Sequence, residues 1–424
     1  MRRRNFLQLL PATLLAACGQ DAAPAAGAAI ADPTQPYAVH EWPIPAQAHS
    51  GQPDLALAPD GRVLLTWISS LPGRRPALMY VGMAENGHWY SSARSVVVGE
   101  SLMADWANVP HVAQTPDGVL WIQFMQKRAE GHAGDVALAR STDGGFNWSA
   151  PVAVNDTSIM AEHGFAALWP AARDRIGIAW LAGPPMGDDS AHADGKQMHH
   201  GGGSTQLRAA TFDLNLQRSE ETTLDTMTCD CCQSEIAMTA QGPVLAYRDR
   251  TEGEVRDIVV VRKQADGWSD PVLVHPDNWV MAGCPVNGPS IAAEGDNLVV
   301  AWFTAADDKP MVQVARSSDG GASFRQPVVL EQGNAVQGRA AVAIDANQAW
   351  VLWLREDANG QSLWLSRRTP DLATELQRLE VAKLQGRGRA TGYPQIALRN
   401  GAAYIAWTDI VDGVSRLRGA IVTP

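Results

Sequence analysis

Seven times along this chain an apolar strand closes on an aromatic residue: Leu64-Leu65-Thr66-Trp67, Leu120-Trp121-Ile122, Gly177-Ile178-Ala179-Trp180, Val244-Leu245-Ala246-Tyr247, Val299-Val300-Ala301-Trp302, Val351-Leu352-Trp353 and Tyr404-Ile405-Ala406-Trp407. The aromatics recur every 51 to 67 residues. Ahead of them stand short alternating segments and tight turns, as in Asp54-Leu55-Ala56-Leu57 before Pro59-Asp60-Gly61 and His111-Val112-Ala113 before Pro116-Asp117-Gly118. Period-two patterning around Pro, Asp and Gly turns is a β-hairpin pattern, not a helical one. After each aromatic come a polar loop, a further strand such as Asp257-Ile258-Val259-Val260-Val261, a Gly or Asp turn and an outer strand. A unit of about four strands with a period of about 50 residues is a propeller blade.

No single blade can bury both faces of its sheet, so the units must stack on one another. With 46% hydrophobic and 19% charged residues, the chain has the apolar surface to do so, and this excludes disorder over most of its length. The repeats predict an all-β fold, a seven-bladed β-propeller of four-stranded antiparallel blades, with a six-bladed ring as the alternative. The last repeat stops after its third strand, residues 416–422, while residues 37–44 precede the first blade with no partner of their own. We expect this N-terminal strand to complete the last blade, which closes the ring and removes a free edge.

Residues 1–36 read as an address and a tether. Arg2, Arg3 and Arg4 precede an apolar stretch over 6–17 that is too short to span a bilayer. It ends in Leu15-Ala16-Ala17-Cys18, which resembles the bacterial lipobox. Residues 1–17 are therefore read as a lipoprotein export signal, Cys18 as the lipid anchor, 18–36 as an Ala/Pro-rich tether and 37–424 as the propeller. Arg3-Arg4-Asn5-Phe6-Leu7 also resembles a twin-arginine signal, so either export route fits. The expected location is the cell envelope or periplasm, on a membrane through Cys18. With 34 basic against 45 acidic residues, a net charge of -11 and no basic run beyond the start, a nucleic-acid partner is excluded. We expect a monomer.

Two turns carry a sharper pattern, Ser141-Thr142-Asp143-Gly144-Gly145-Phe146-Asn147-Trp148 and Ser317-Ser318-Asp319-Gly320-Gly321-Ala322-Ser323-Phe324. They resemble the Asp-box, Ser-x-Asp-x-Gly-x-x-aromatic, of the sialidase-like (BNR repeat) propeller superfamily. Segments 84–89 and 264–268 look like eroded copies. In such a turn Ser and Asp hydrogen-bond the backbone, Gly takes positive φ and the aromatic fills the space between sheets. In that superfamily the box lies opposite the site, so it marks fold and not chemistry. The resemblance also implies an Arg triad for a substrate carboxylate, an Asp acid and a Tyr nucleophile. Arg248, Arg339 and Arg389 stand near inner strand ends as a candidate triad, with Asp105 as acid and Tyr393 as nucleophile. The competing reading is that these arginines pair with neighbouring carboxylates. Two departures weigh against a sialidase: the first blade opens on Gln52-Pro53-Asp54-Leu55 without an Arg, and those enzymes are usually six-bladed. An exo-acting glycoside hydrolase with a non-standard site is the alternative function.

In a propeller, the loops leading into each inner strand share one face with the loops joining second to third strands. On that face lie Asp105-Trp106-Ala107-Asn108, Met160-Ala161-Glu162-His163, Cys229-Asp230-Cys231-Cys232 and Met281-Ala282-Gly283-Cys284-Pro285-Val286-Asn287. Beside Cys18, every cysteine is in these loops, and Cys284 should lie close to the Cys229, Cys231 and Cys232 run. Four cysteines in an exported chain read as two disulfides, in any of three connectivities. The competing reading is a metal site, with the thiolates as ligands of copper or zinc. A long loop with His192, Met198, His199 and His200 enters the same face and, with His163, would add ligands. A segment of alternating charge over 247–257 supplies Asp249, Glu254 and Arg256, which with Trp106, Asn108 and Asn287 form a candidate surface for an anionic or glycan ligand. The same charges read equally as a self-satisfied network. The expected function is a ligand-binding or accessory protein acting through its funnel on a small ligand, a glycan or a metal ion, copper or zinc being the candidate cofactors.

Overall fold

Alternation decides how each repeat packs. In the strand Val63–Ser69, Val63, Leu65 and Trp67 enter one apolar cluster while Leu64 and Ile68 enter another. The strand is buried on both faces because a neighbouring sheet covers each of them. The structure, a computed structural model, describes residues 34–83, 87–90, 92–128, 133–186 and 203–424.

The described residues form seven antiparallel sheets, one per repeat. Their inner strands are Ser50–Leu57, His111–Gln114, His163–Ala172, Glu235–Thr239, Ser290–Glu294, Val336–Ile344 and Gln395–Arg399, and we number blades 1 to 7 in that order. This is the seven-bladed propeller that the repeats predict. Each sheet has four strands, in sequence order except in blade 7, and the outer strand of blade 4 is broken into Gly267–Trp268 and Val272–Leu273, both paired with Ile258–Gln264. Seven apolar clusters occupy the seven blade interfaces; the cluster between blades 5 and 6, for example, joins Val299, Val312 and Val314 to Val342, Val351 and Trp353. Trp67, Trp121, Trp180, Trp302 and Trp353 are fully buried.

Blade 7 closes as expected. Its fourth strand is Ala38–Glu41, which pairs with Val414–Thr423 in the register Val39 to Val422. Tyr37 then reaches blade 6, where the Arg367 guanidinium lies 3.5 Å from its ring centroid. The inner strands are stitched across blades by side chains accepting backbone N–H groups. Asp54 accepts from Val112, Asn108 from Phe165, Glu235 from Ile291 and Asn287 from Arg339.

The two Ser-x-Asp-x-Gly turns follow the expected hydrogen-bond logic. Asp143 Oδ1 accepts from the Phe146 and Asn147 N–H groups, and the Asn147 and Ser141 bonds hold its pKa down to about 2. Trp148 packs edge-on against Tyr80 of blade 1, and Gly145, at φ 90°, has no room for a side chain against the Tyr80 ring. Phe324 packs likewise into the cluster between blades 4 and 5.

Candidate functional site

The loops leading into blades 4 and 5 hold all the cysteines among the described residues. Gly288 is where the two loops meet. A Cβ there would stand 2.0 Å from the Gln233 carbonyl oxygen, so only glycine permits the approach. Arg248 ties the loops together from within: its buried guanidinium donates to the carbonyls of Asn287 (2.8 Å), Arg256 (2.6 Å) and Phe303 (2.7 Å). Burial lowers its pKa to about 10. Arg248 is thus a strut engaged with backbone.

The sulfur atoms converge. Cys229 and Cys232, both buried, lie at disulfide distance with Cα atoms 5.8 Å apart. The Cys231 sulfur is 4.0 Å from that of Cys229, and the sulfurs of Cys229, Cys231 and Cys232 all lie within 4.8 Å of one another. Cys284 comes from the neighbouring blade and is exposed; Cys231, half-buried, is hydrogen-bonded to it. That bond draws the Cys284 thiol below its ordinary value, and together with burial it pushes Cys231 up. Cys284 approaches the run as the loop positions predict, but of the two disulfides expected only Cys229–Cys232 is formed; Cys231 and Cys284 are free, so Cys284 is not bridged to the neighbouring blade. The Arg256 side chain, which acts electrostatically on Cys284, is 2% exposed. Its Nη2 donates to Glu254, while Nε and Nη1 have no hydrogen-bond partner among the described residues.

The charged segment over 247–257 is largely self-contained. Glu254 bridges Arg250 and Arg256 at 2.7 and 2.8 Å, and Arg250 also reaches Asp230 at 3.2 Å. Asp257 accepts from the N–H groups of Asn278 and Trp279. Burial raises Asp249 to about 6.

On the other side of the funnel, the half-buried Trp106 stacks on Tyr393 at 6.0 Å and 8°. The guanidinium groups of Arg339 and Arg389 lie 5.3 and 5.6 Å from its ring. Arg339 is buried and holds the turn Gly388–Thr391 by donating to Thr391 Oγ1 and to the Gly388 and Gly392 carbonyls. The Arg389 guanidinium, exposed on that turn, has no hydrogen-bond or ion-pair partner among the described residues. The Tyr393 hydroxyl donates to the Val286 carbonyl, and burial raises its pKa. Asp105 accepts from the Ala107 N–H at 2.9 Å. The structure therefore gathers Arg339, Arg389, Tyr393 and Trp106, with Asp105 adjacent, but turns Arg248 and Arg339 toward backbone and gives the Tyr393 hydroxyl a carbonyl partner. Asn108 and Asn287 are buried with their amides engaged between blades, so they serve the ring.

His163, 8% exposed, has neither ring nitrogen hydrogen-bonded among the described residues, and burial lowers its pKa to about 4. It is not one of the side chains grouped around the cysteine sulfurs. Cys18, His192, His199 and His200 lie outside the described residues.

Sequence reasoning missed a further set of polar groups on the ring axis. Inner strands of all seven blades line a central channel of about 220 Å³. Into it face Asp54, His111 and Glu235. His111 Nδ1 is 2.9 Å from Asp54 Oδ1; burial opposes the imidazolium, but the Asp54 charge and hydrogen bond outweigh it and the His111 pKa is raised. Burial raises Glu235 to about 7. Their positions on the inner strands of blades 1, 2 and 4 were the available signal.

No protein-family model matches the sequence, and no curated protein matches it. Solved structures similar to it include a polysaccharide lyase described as an ulvan lyase (13% identity, 78% of this chain and 79% of that one, TM-score 0.46). A protein of unknown function from Dyadobacter fermentans is similar at 14% identity over 88% of this chain and 94% of that one, with a TM-score of 0.47. The NanB sialidase from Streptococcus pneumoniae is similar at 9% identity over 85% and 83%, also with a TM-score of 0.47.

Proposed function

We propose that the protein is a lipid-anchored ligand-binding or accessory protein of the cell envelope. Its ligand is a soft metal ion, copper(I) first and zinc(II) second, held by Cys229, Cys231 and Cys232 with Cys284 as fourth donor. The observation that carries this reading is the convergence of three sulfurs within 4.8 Å of one another, joined by a fourth from the next blade. Thiolates so placed suit an ion that binds sulfur at about 2.3 Å. The buried Arg256 cation beside them offsets part of the negative charge they bring. The site works in its reduced form, because a bridged pair offers no thiolates. The test is anaerobic: the reduced chain, freed of reductant, is titrated with copper(I) and with zinc(II) against a competing chelator. One equivalent of metal with a thiolate charge-transfer band is expected, weakening as pH falls because protons compete for the sulfurs. A reduced protein that leaves both metals on the chelator overturns the reading.

A second reading, a glycan ligand on the other side of the funnel, is favoured by one observation. An indole face at Trp106 stands beside Arg389, a guanidinium without a protein partner among the described residues, which suits an acidic sugar. Quenching of tryptophan fluorescence by an oligouronate, lost in Trp106→Ala, would support it; no quenching would remove it.

A further inference from the structure

The four sulfurs are arranged in sequence from solvent to interior. Cys284 is exposed, Cys231 is half-buried and hydrogen-bonded to it, and Cys231 is 4.0 Å from Cys229, which is paired with Cys232. Cys229 and Cys232 are 1% and 2% exposed, so an external thiol has no direct access to their bond. We propose that these cysteines form a thiol–disulfide relay, which moves a disulfide between the buried Cys229–Cys232 pair and a surface Cys231–Cys284 pair and exchanges it there with an external dithiol. The relay concerns the site of the metal reading and supplies its regulation, since only the reduced site offers thiolates; the exchange chemistry itself requires no metal.

The steps balance. In the described state the buried pair is bridged and Cys231 and Cys284 are free; exchange begins when the exposed Cys284 thiol loses its proton to solvent. Cys231 passes its proton to Cys284 and attacks Cys229: the Cys229–Cys231 bond forms, the Cys229–Cys232 bond breaks and Cys232 leaves as thiolate. Cys284 gives that proton to Cys232 and attacks Cys231: the Cys231–Cys284 bond forms, the Cys229–Cys231 bond breaks and Cys229 leaves as thiolate. No electrons have entered so far. A thiol of the external dithiol then attacks exposed Cys284 and Cys231 leaves; the second thiol closes on the mixed disulfide and releases Cys284. The dithiol ends as a disulfide and the protein has gained two electrons. Throughout, one negative charge migrates among the sulfurs beside Arg256, whose buried Nε and Nη1 groups have no hydrogen-bond partner among the described residues.

The test uses the full oxidised chain and dithiothreitol, with alkylation at timed intervals and mapping of disulfide-linked peptides by mass spectrometry. In the wild type, a Cys231–Cys284 bridge should appear as the Cys229–Cys232 bridge is lost. In Cys284→Ser and in Cys231→Ala the buried bridge should open at least about tenfold more slowly, because the attacking or resolving sulfur is gone. Equal rates in the variants and the wild type, or a time course without any Cys231–Cys284 species, overturn the relay. The wild-type time course stands even if the variants fold poorly. Relay kinetics without copper uptake by the reduced wild type would remove the metal reading alone; copper uptake with equal rates would remove the relay alone.

Discussion

Arg248 is the residue whose role changed most between sequence and structure. As a triad arginine it would face a substrate; in the fold it donates to three backbone carbonyls and joins the loops of blades 4 and 5. Arg248→Met should leave the Asn287, Arg256 and Phe303 carbonyls without a donor, and at roughly 1–3 kcal/mol for each unsatisfied buried group the loss should reach about 3 kcal/mol or more. Thermal or denaturant unfolding measures it, and Arg389→Met, at an exposed guanidinium with no carbonyl to support, is the expected near-neutral control. Glu235 sets a pH dependence. Burial raises its pKa from an ordinary 4.5 to about 7, so between those values the folded chain holds more protons than the unfolded one. Stability should therefore fall as pH rises from about 4.5 to about 7. In Glu235→Gln, which keeps an oxygen for the Ile291 N–H, that part of the slope should vanish; an unchanged slope in denaturant unfolding would count against the assignment.

Among the elements, the strand Ala38–Glu41 matters out of proportion to its length. It is the fourth strand of blade 7 and covers the edge of Val414–Thr423. A chain beginning at Trp42 should leave the 420–423 stretch of that edge unpaired and lose the contact of Tyr37 with Arg367. Lower thermal stability and concentration-dependent aggregation by light scattering are expected. This element was legible in the sequence because the last repeat lacked a strand and one unpaired strand remained to supply it. The break in the outer strand of blade 4 was not legible, since it depends on how 267–273 meets its neighbour across the sheet.

At the scale of the whole molecule, the ring assembles a site from loops about fifty residues apart in sequence and leaves its chemistry to those loops. The Tyr393 hydroxyl is bound to a carbonyl, and Arg248 and Arg339 face backbone. We expect no robust release of sialic acid from an aryl sialoside, measured at saturating substrate over the neutral and acidic range; strong turnover would mean that the loops rearrange to free those groups. The cysteine cluster was half legible. Loop position on a propeller face brings Cys284 to the run, but spacing does not say which sulfur pairs with which. Asn108 and Asn287 were read as ligand contacts because their partners, the N–H groups of Phe165 and Arg339, lie more than fifty residues away.

The sequence by itself determined the strand content, the number of blades and the manner of closure, because alternation, turn chemistry and a recurring aromatic are properties of contiguous residues. Only the tertiary structure decided which polar groups are free to act. A guanidinium or an amide reads the same in a one-dimensional string whether it meets a ligand or a carbonyl of the next blade, and the channel set of Asp54, His111 and Glu235 exists only once seven inner strands face a common axis. Packing two sheets face to face places residues of separate repeats within hydrogen-bonding distance, and it is that proximity which turns some side chains into struts and leaves others, Cys284 and Arg389 among them, open to solvent.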